Sequence, residues 1–167
     1  RTEVLRASGA VLYGEGATGG VIVITTKAGA GRDRPNAASV YGAAGSHGLR
    51  GGRGSATVGT PGGFTLDADA QARRTQGWRE NSAARSRAGT VTGQWSNDWL
   101  RLGARLGEDV VHARLPGPLT AQQYEEDPRQ TTRPGDWARL RNDRAGIFAA
   151  AHAGAWQRAF GAARRRE

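Results

Sequence analysis

FTLDADAQAR, residues 64–73, alternates apolar or small residues with polar ones at every position. The apolar set runs from Phe64 to Ala72, and the polar set includes Asp67 and Asp69. Successive side chains of a β-strand point to opposite faces, whereas a helix would mix the two sets on each face. The stretch therefore predicts a β-strand with one apolar and one polar face.

The same two-residue alternation recurs along most of the chain after about residue 37. It is clear in residues 89–95 and 100–106, and weaker in RAGIFAAAH at 144–152 and WQRAFGAARRR at 156–166. Repeated alternating segments separated by turn residues are typical of an antiparallel meander. The sequence predicts an all-β fold with about six or seven such strands.

The connections between these segments alternate in length. PGG at 61–63 and SND at 96–98 are short, whereas QGWRENSAAR at 76–85 is longer and the connection at 108–142 is very long. Outer-membrane barrels have short turns at one end and long loops at the other. This pattern favours a transmembrane β-barrel over a soluble sheet.

The composition of the two strand faces also favours a transmembrane β-barrel. The apolar face is rich in Ala and Gly, whereas soluble sandwiches bury large aliphatic side chains between their sheets. The other face carries Arg, Asp, Gln and Thr, which suit a wet lumen. Trp95 and Trp99 flank the SND turn, where a barrel has an aromatic girdle. The alternative is that they are two exposed aromatics at strand ends.

The residue inventory excludes several kinds of site. The chain has no cysteine, which removes disulfides, thiolate metal sites and cysteine catalysis. His47, His112 and His152 occur singly, so we expect ordinary polar histidines rather than metal ligands. No nucleophile, base and metal set converges in the sequence. We therefore predict that the protein is not an enzyme, and has no catalytic residue, cofactor or metal.

The chain also lacks some features of a complete membrane protein. It has no Met, no visible signal peptide and no apolar run of about 18 residues. We therefore expect a fragment or a processed piece without a transmembrane helix.

AVLYGEGATGGVIVITTK, residues 10–27, contains the spacing Gly14-x-Gly16-x-x-Gly19. In a dinucleotide-binding fold, a helix must follow such glycines and place its N-terminus on the pyrophosphate. Here the β-branched run at 21–26 follows instead, and it favours a strand. The segment predicts a strand, a glycine loop and another strand rather than a nucleotide site.

The segment TEVLRASGAVLYGEGATGGVIVITTKAG, residues 2–29, resembles the C-terminal end of the plug domain of TonB-dependent outer-membrane receptors. The match departs at Ala7 and Ser8, where the family usually has Gly-Pro. The later chain is similar to the first barrel strands of the family, including GWRENS at 77–82 and LPGPLTAQQYEEDPRQ at 115–130. The residues that carry the plug motif are Glu3, Arg6, Tyr13, Gly14, Gly16, Gly19 and Gly20.

This resemblance implies a domain organisation and a function. Residues 1–34 would be the end of the plug domain and a linker, and residues 35–167 the N-terminal part of an incomplete transmembrane β-barrel. The parent protein would be an active importer in the outer membrane of a Gram-negative bacterium. Its ligand would be scarce, most typically a ferric siderophore or other iron chelate. Its partners would be that chelate, outer-membrane lipid and, through a missing N-terminal part, the TonB energy-coupling complex.

The resemblance also suggests roles for particular residues. Glu3 and Arg6 would contribute to the polar contacts between plug and barrel, or else form an exposed cross-strand pair. A ligand-facing loop is expected at 109–142, because arginines and aromatics suit an anionic iron chelate. Its candidate residues are His112, Arg114, Tyr124, Arg129, Arg133, Trp137 and Arg139.

Two further interpretations remain. Glu125, Glu126 and Asp127 are predicted to be a solvated charge run, with a cation site as the alternative. The net charge of +9 and the terminal ARRRE would also suit a basic nucleic-acid-binding β-rich protein. That class predicts clustered Lys and Arg with aromatics on one face, whereas here Arg is spread along the strands and Lys27 is the single lysine. We therefore expect no nucleic-acid partner.

Overall fold

The computed structural model describes residues 2–5, 21–24, 35–154 and 156–167 of the chain. The chain divides into the units Arg1–Gly31 and Arg32–Glu167. In the first unit, β1 (Thr2–Leu5) pairs with β2 (Val21–Ile24) in antiparallel register. The predicted strand after the glycines is thus confirmed, and a dinucleotide site, which needs a helix there, loses its basis. Outside the described residues lie Arg6, Tyr13, Gly14, Gly16, Gly19, Gly20 and the side chain of Glu3.

The second unit contains a seven-stranded antiparallel sheet in which every strand pairs with its neighbours in sequence. The predicted all-β meander is therefore confirmed. Among the described strands, β3 and β9 are the edges and do not pair with each other, so the sheet is open rather than closed into a barrel. In chain order, its strands are β3 (Ala37–Ala44), β4 (Arg50–Gly59), β5 (Phe64–Thr75), β6 (Ala84–Ser96), β7 (Leu100–Arg114), β8 (Trp137–Ala153) and β9 (Trp156–Arg166).

The connections differ between the two ends of the sheet. At the short-turn end, β4–β5, β6–β7 and β8–β9 are joined by residues 60–63, 97–99 and 154–155. At the long-loop end lie 45–49, 76–83 and 115–136, and the last of these contains the helix α1 (Ala121–Glu126). No helix in the described part of the chain is long and apolar enough to cross a membrane.

The long loop is shorter than the sequence predicts. We expected a loop at 109–142, but β7 continues to Arg114 and β8 begins at Trp137. At these strand ends the two faces exchange polarity although the backbone pairing continues: His112 and Arg139 lie on the face of Leu102, whereas Val111 and Leu140 lie on the other face. His112 and Arg114 therefore lie in β7, and Trp137 and Arg139 in β8.

Local hydrogen bonds close the short turns. The Asn97 side chain accepts hydrogen bonds from the backbone N–H groups of Trp99 and Leu100, at 3.0 and 2.7 Å. Gly63 has a positive φ of 83°, and a Cβ there would lie 2.1 Å from the carbonyl oxygen of Ser96. Only glycine fits this position, since it tolerates both the conformation and the close approach.

Two glycines on neighbouring strands give a test of the packing. A Cβ on Gly103 would lie 2.3 Å from Cζ of Phe148 and 2.9 Å from the carbonyl oxygen of Gly93, whereas a Cβ on Gly93 would meet nothing within 4 Å. We expect Gly103→Ala to lower the free energy of unfolding by about 1–3 kcal/mol through overpacking. Gly93→Ala should change it by less than about 0.5 kcal/mol. Denaturant unfolding followed by tryptophan fluorescence measures both, and equal effects would contradict the packing.

Candidate functional site

The register gathers most of the large exposed apolar side chains on one face of the sheet, which we call the apolar face, whereas Tyr41, Val111 and Leu140 lie on the other. One row of directly opposed residues runs through Phe64, Trp95, Leu102, Ala149 and Phe160. These side chains are not covered: Phe64 is 61% exposed and Phe160 65%. Other exposed apolar residues on this face are Val40, Val58, Leu66, Val91, Leu106 and Ile147. Together they form a continuous exposed band, the apolar band.

The opposite face, the polar face, carries paired charges and hydroxyl groups. Arg53 forms an ion pair with Asp69 at 2.7 Å, and the Thr57 hydroxyl donates to Asp67 at 2.7 Å. The guanidinium of Arg105 donates to the Thr92 hydroxyl at 3.1 Å. Asp67 and Asp69 thus contribute to a hydrogen-bonded polar surface, as the strand pattern predicts.

The most buried side chains on the sheet include four polar ones, all on the polar face. Thr65, Thr92, Gln94 and Ser96 are only 2–5% exposed. The amide of Gln94 and the hydroxyl of Ser96 form no hydrogen bond with the described residues. Burial is therefore reversed relative to a soluble protein, where large apolar residues are inside and buried polar groups are satisfied.

At the long-loop end, the segment 76–83 holds the loop 115–136 in place. The guanidinium of Arg79 donates to the carbonyl oxygens of Gly117 and Gln130, both at 2.9 Å. The side-chain NH₂ of Asn81 donates to the carbonyl oxygens of Leu115 at 3.1 Å and Asp136 at 3.0 Å, near the two ends of the loop. The loop therefore has a defined conformation that is maintained from a neighbouring connection.

Sequence reasoning did not single out Arg79 or Asn81. Their partners are backbone carbonyl groups, which leave no side-chain signature in the sequence. The one available signal was the similarity of GWRENS at 77–82 to the receptor family.

The structure brings together four of the seven predicted ligand residues. His112 lies opposite Arg139, and Arg114 opposite Trp137, on the continuation of the apolar face. His112, Arg114 and Trp137 line a depression of about 440 Å³ together with Arg85.

The other three predicted ligand residues lie in the loop. Tyr124 is on α1 and is 58% exposed. Arg129 donates to the carbonyl oxygen of Trp78 at 3.2 Å, and Arg133 pairs with Asp136 at 3.8 Å. Two of the loop arginines are thus already in contact with protein groups.

The predicted charge run consists of Glu125, Glu126 and Asp127, and two of these residues accept hydrogen bonds from nearby groups of the chain. Glu126 accepts a hydrogen bond from Gln122 at 2.9 Å, and Asp127 accepts one from the Arg129 backbone at 2.8 Å. In the part of the chain that the structure describes, no cluster of His, Asp and Glu could hold a metal ion. The alternative interpretation as a cation site therefore has no geometric support.

Among the residues that the structure describes, the features that bear on function are the apolar face, the polar face and the loop held by Arg79. Their interpretation rests on geometry and on the resemblance of the sequence, because no protein-family model and no curated protein matches the chain.

Proposed function

We propose that this chain is part of a TonB-dependent outer-membrane receptor that binds and imports a scarce ligand, a ferric siderophore or other iron chelate. In this proposal, residues 1–34 end the plug domain and residues 35–167 begin the transmembrane barrel of a Gram-negative bacterium. The observation that carries the proposal is the reversed burial of the two sheet faces. Large apolar residues are exposed on one face, and four polar residues are buried on the other.

In a membrane, the acyl chains of lipids would surround the apolar band, which is unfavourably exposed in water. In β5 the band runs from Phe64 to Ala72, about 26 Å at ~3.3 Å per residue. That length is close to the apolar band of about 25 Å on outer-membrane barrels. A lumen on the other side would supply water or plug groups to Gln94 and Ser96, whose unpaired burial otherwise costs about 1–3 kcal/mol per group.

The two ends of the sheet support the same orientation. Short turns lie at one end and the long loop at the other, as expected for the periplasmic and outer ends of a barrel. Phe64, Trp95 and Trp156 lie at the short-turn end, where Phe64 and Trp95 pack with ring centroids 6.5 Å apart. The Trp95 indole N–H donates to the Gly62 carbonyl at 3.0 Å, and Trp99 is 57% exposed. Aromatic side chains at the short-turn end are expected if this end lies at the interface between membrane and water.

The open edges of the sheet fit a part of a larger barrel. A strand edge in lipid has unpaired backbone groups that nothing else satisfies, so β3 and β9 require further strands in a membrane. In the loop, Tyr124 and Arg133 are exposed and can meet an anionic chelate. The link to TonB rests on the resemblance of residues 2–28 to the plug.

The membrane placement can be tested on the full chain, because the absence of cysteine allows single-cysteine labelling. Nitroxides are attached at Leu66→Cys and Leu106→Cys on the apolar face, and at Asp67→Cys and Arg105→Cys as neighbours on the polar face. In lipid vesicles, the first pair should collide with oxygen and the second with a water-soluble nickel chelate. Equal access of nickel to all four positions would overturn the membrane placement.

The transport function is tested in the complete receptor that this proposal requires. Cells that express it should take up a ⁵⁵Fe-labelled siderophore in a TonB-dependent manner. Accumulation that is unchanged by deletion of TonB would overturn the transport proposal, whatever the result of the labelling experiment.

A further inference from the structure

The antiparallel register aligns four arginines and one histidine across the long-loop end of the apolar face. Arg50 lies opposite Arg74, which lies opposite Arg85. His112 lies opposite Arg85 on one side and Arg139 on the other. We call these five residues the cationic row. It crosses β4 to β8 and spans about 19 Å at ~4.8 Å per strand.

No carboxylate of the described residues neutralises the arginines of the cationic row, and all four are exposed. The next row towards the short-turn end differs. There, Arg87 and Arg141 both pair with Glu108, at 3.1 and 3.2 Å, and Arg141 also pairs with Asp143. Like charges directly opposite each other destabilise a sheet. The cationic row therefore carries positive charge that the sheet itself leaves uncompensated.

The cationic row lies on the same face as the apolar band. In β5 the two are adjacent, since Arg74 comes two residues after Ala72, whereas in β7 the ion-paired Glu108 and Val110 lie between Leu106 and His112. Arg50, Arg74, Arg85 and His112 line a shallow depression of about 610 Å³. A partner that fits both surfaces must combine acyl chains with an anionic head.

We propose that the cationic row binds the phosphate groups of anionic membrane lipids whose acyl chains cover the apolar band. This inference rests on the proposed membrane placement of the apolar face. Guanidinium groups bind phosphate through two parallel hydrogen bonds, and a row of them accepts several headgroups side by side. The lipid phosphates supply the negative charge that the sheet lacks.

This assignment changes the role expected of two residues. His112 and Arg139 were predicted to face an imported ligand, but they share a face with Leu106 and Ile147. They therefore face the lipid headgroups rather than the lumen. A nucleic acid could also pair its phosphates with the cationic row, but it would leave the adjoining apolar band uncovered.

The experiment measures lipid retention by the full chain. The protein is purified from detergent micelles that contain equal amounts of phosphatidylcholine and phosphatidylglycerol, and the retained lipids are counted by mass spectrometry. Arg74→Gln/Arg85→Gln removes two charges from the cationic row. Arg53→Gln/Arg165→Gln removes two from the polar face and is the matched control.

We expect the wild type and the control to retain phosphatidylglycerol in preference to phosphatidylcholine. The row variant should lose about tenfold or more of this preference at low ionic strength. An unchanged preference in the row variant, or equal losses in both variants, would overturn the proposal. Displacement of the lipid by millimolar inorganic phosphate would show a site for small anions and would also overturn it.

Two further results distinguish lipid binding from the other interpretations of the cationic row. If the row variant loses binding to single-stranded DNA while no lipid preference exists, the cationic row is a nucleic-acid surface and the proposal is wrong. If lipid preference is absent but the nitroxide pattern holds, only the lipid assignment fails. A failed nitroxide pattern removes the membrane placement itself.

Discussion

Val91→Arg is expected to lower the free energy of unfolding in lipid by about 2–4 kcal/mol, the cost of a lipid-facing arginine near the membrane midplane. Val91 lies between Ala68 and Leu106 in the register and is 47% exposed. These neighbours place Val91 inside the apolar band, which the proposed membrane placement puts in lipid. Urea titration of the chain in lipid vesicles, followed by tryptophan fluorescence, gives the change.

Thr90→Arg is the matched control for Val91→Arg. It adds the same side chain one residue away, on the polar face beside Asp69 and Gly107. We expect it to cost much less, because its charge would meet a wet surface. Equal costs for the two variants would contradict the difference between the faces. A Val91→Arg chain that becomes stable without lipid would contradict the membrane placement directly.

Arg79→Ala is expected to open the loop 115–136 locally. The substitution removes hydrogen bonds from a charged donor to the Gly117 and Gln130 carbonyls, each worth about 1.5–3 kcal/mol. A loss of about 3 kcal/mol corresponds to a roughly 100-fold lower protection against hydrogen exchange. The informative amides are those of Leu115 and Thr132, which bond to the Asp136 and Pro116 carbonyls.

Two further variants serve as comparisons for Arg79→Ala in the loop experiment. Asn81→Ala should act in the same direction, because its amide bonds the Leu115 and Asp136 carbonyls. Arg50→Ala lies on the distant strand β4 and should leave loop exchange unchanged. Trypsin cleavage after Arg129 gives an independent measure of opening. If Arg79→Ala leaves both exchange and cleavage at the level of the wild type, Arg79 does not maintain the loop.

The strands were predictable where the two faces differ in polarity. Phe64 to Ala72 alternates with Asp67 and Asp69, so β5 could be recognised without any structure. The end of β7 could not, because the apolar and polar faces exchange near His112 while the backbone pairing with β8 continues. Sequence patterns report the environment of side chains, whereas strand ends are determined by backbone pairing.

The candidate surfaces were harder to predict from the sequence than the strands were. Arg50, Arg74, Arg85 and Arg139 are far apart in sequence, and only the register of five strands places them in one row. From the sequence alone, these arginines counted as evenly spread charge. The role of Arg79 was hidden for a different reason, since it binds carbonyl groups 38 and 51 residues further along the chain.

The strictly sequential strand order also has a consequence for the order of folding. Each strand pairs with its predecessor, so the sheet can grow by one hairpin at a time, and the short turns close with little loss of chain entropy. The β7–β8 pairing is the exception, because the 115–136 connection must close first. Arg79 precedes β6 in the chain, so it is in place before β8 pairs with β7. By binding the loop 115–136, it can reduce the number of conformations that the loop samples before the two strands pair. The β7–β8 hairpin is thus the expected slow step of assembly, and its rate should depend on a side chain outside both strands.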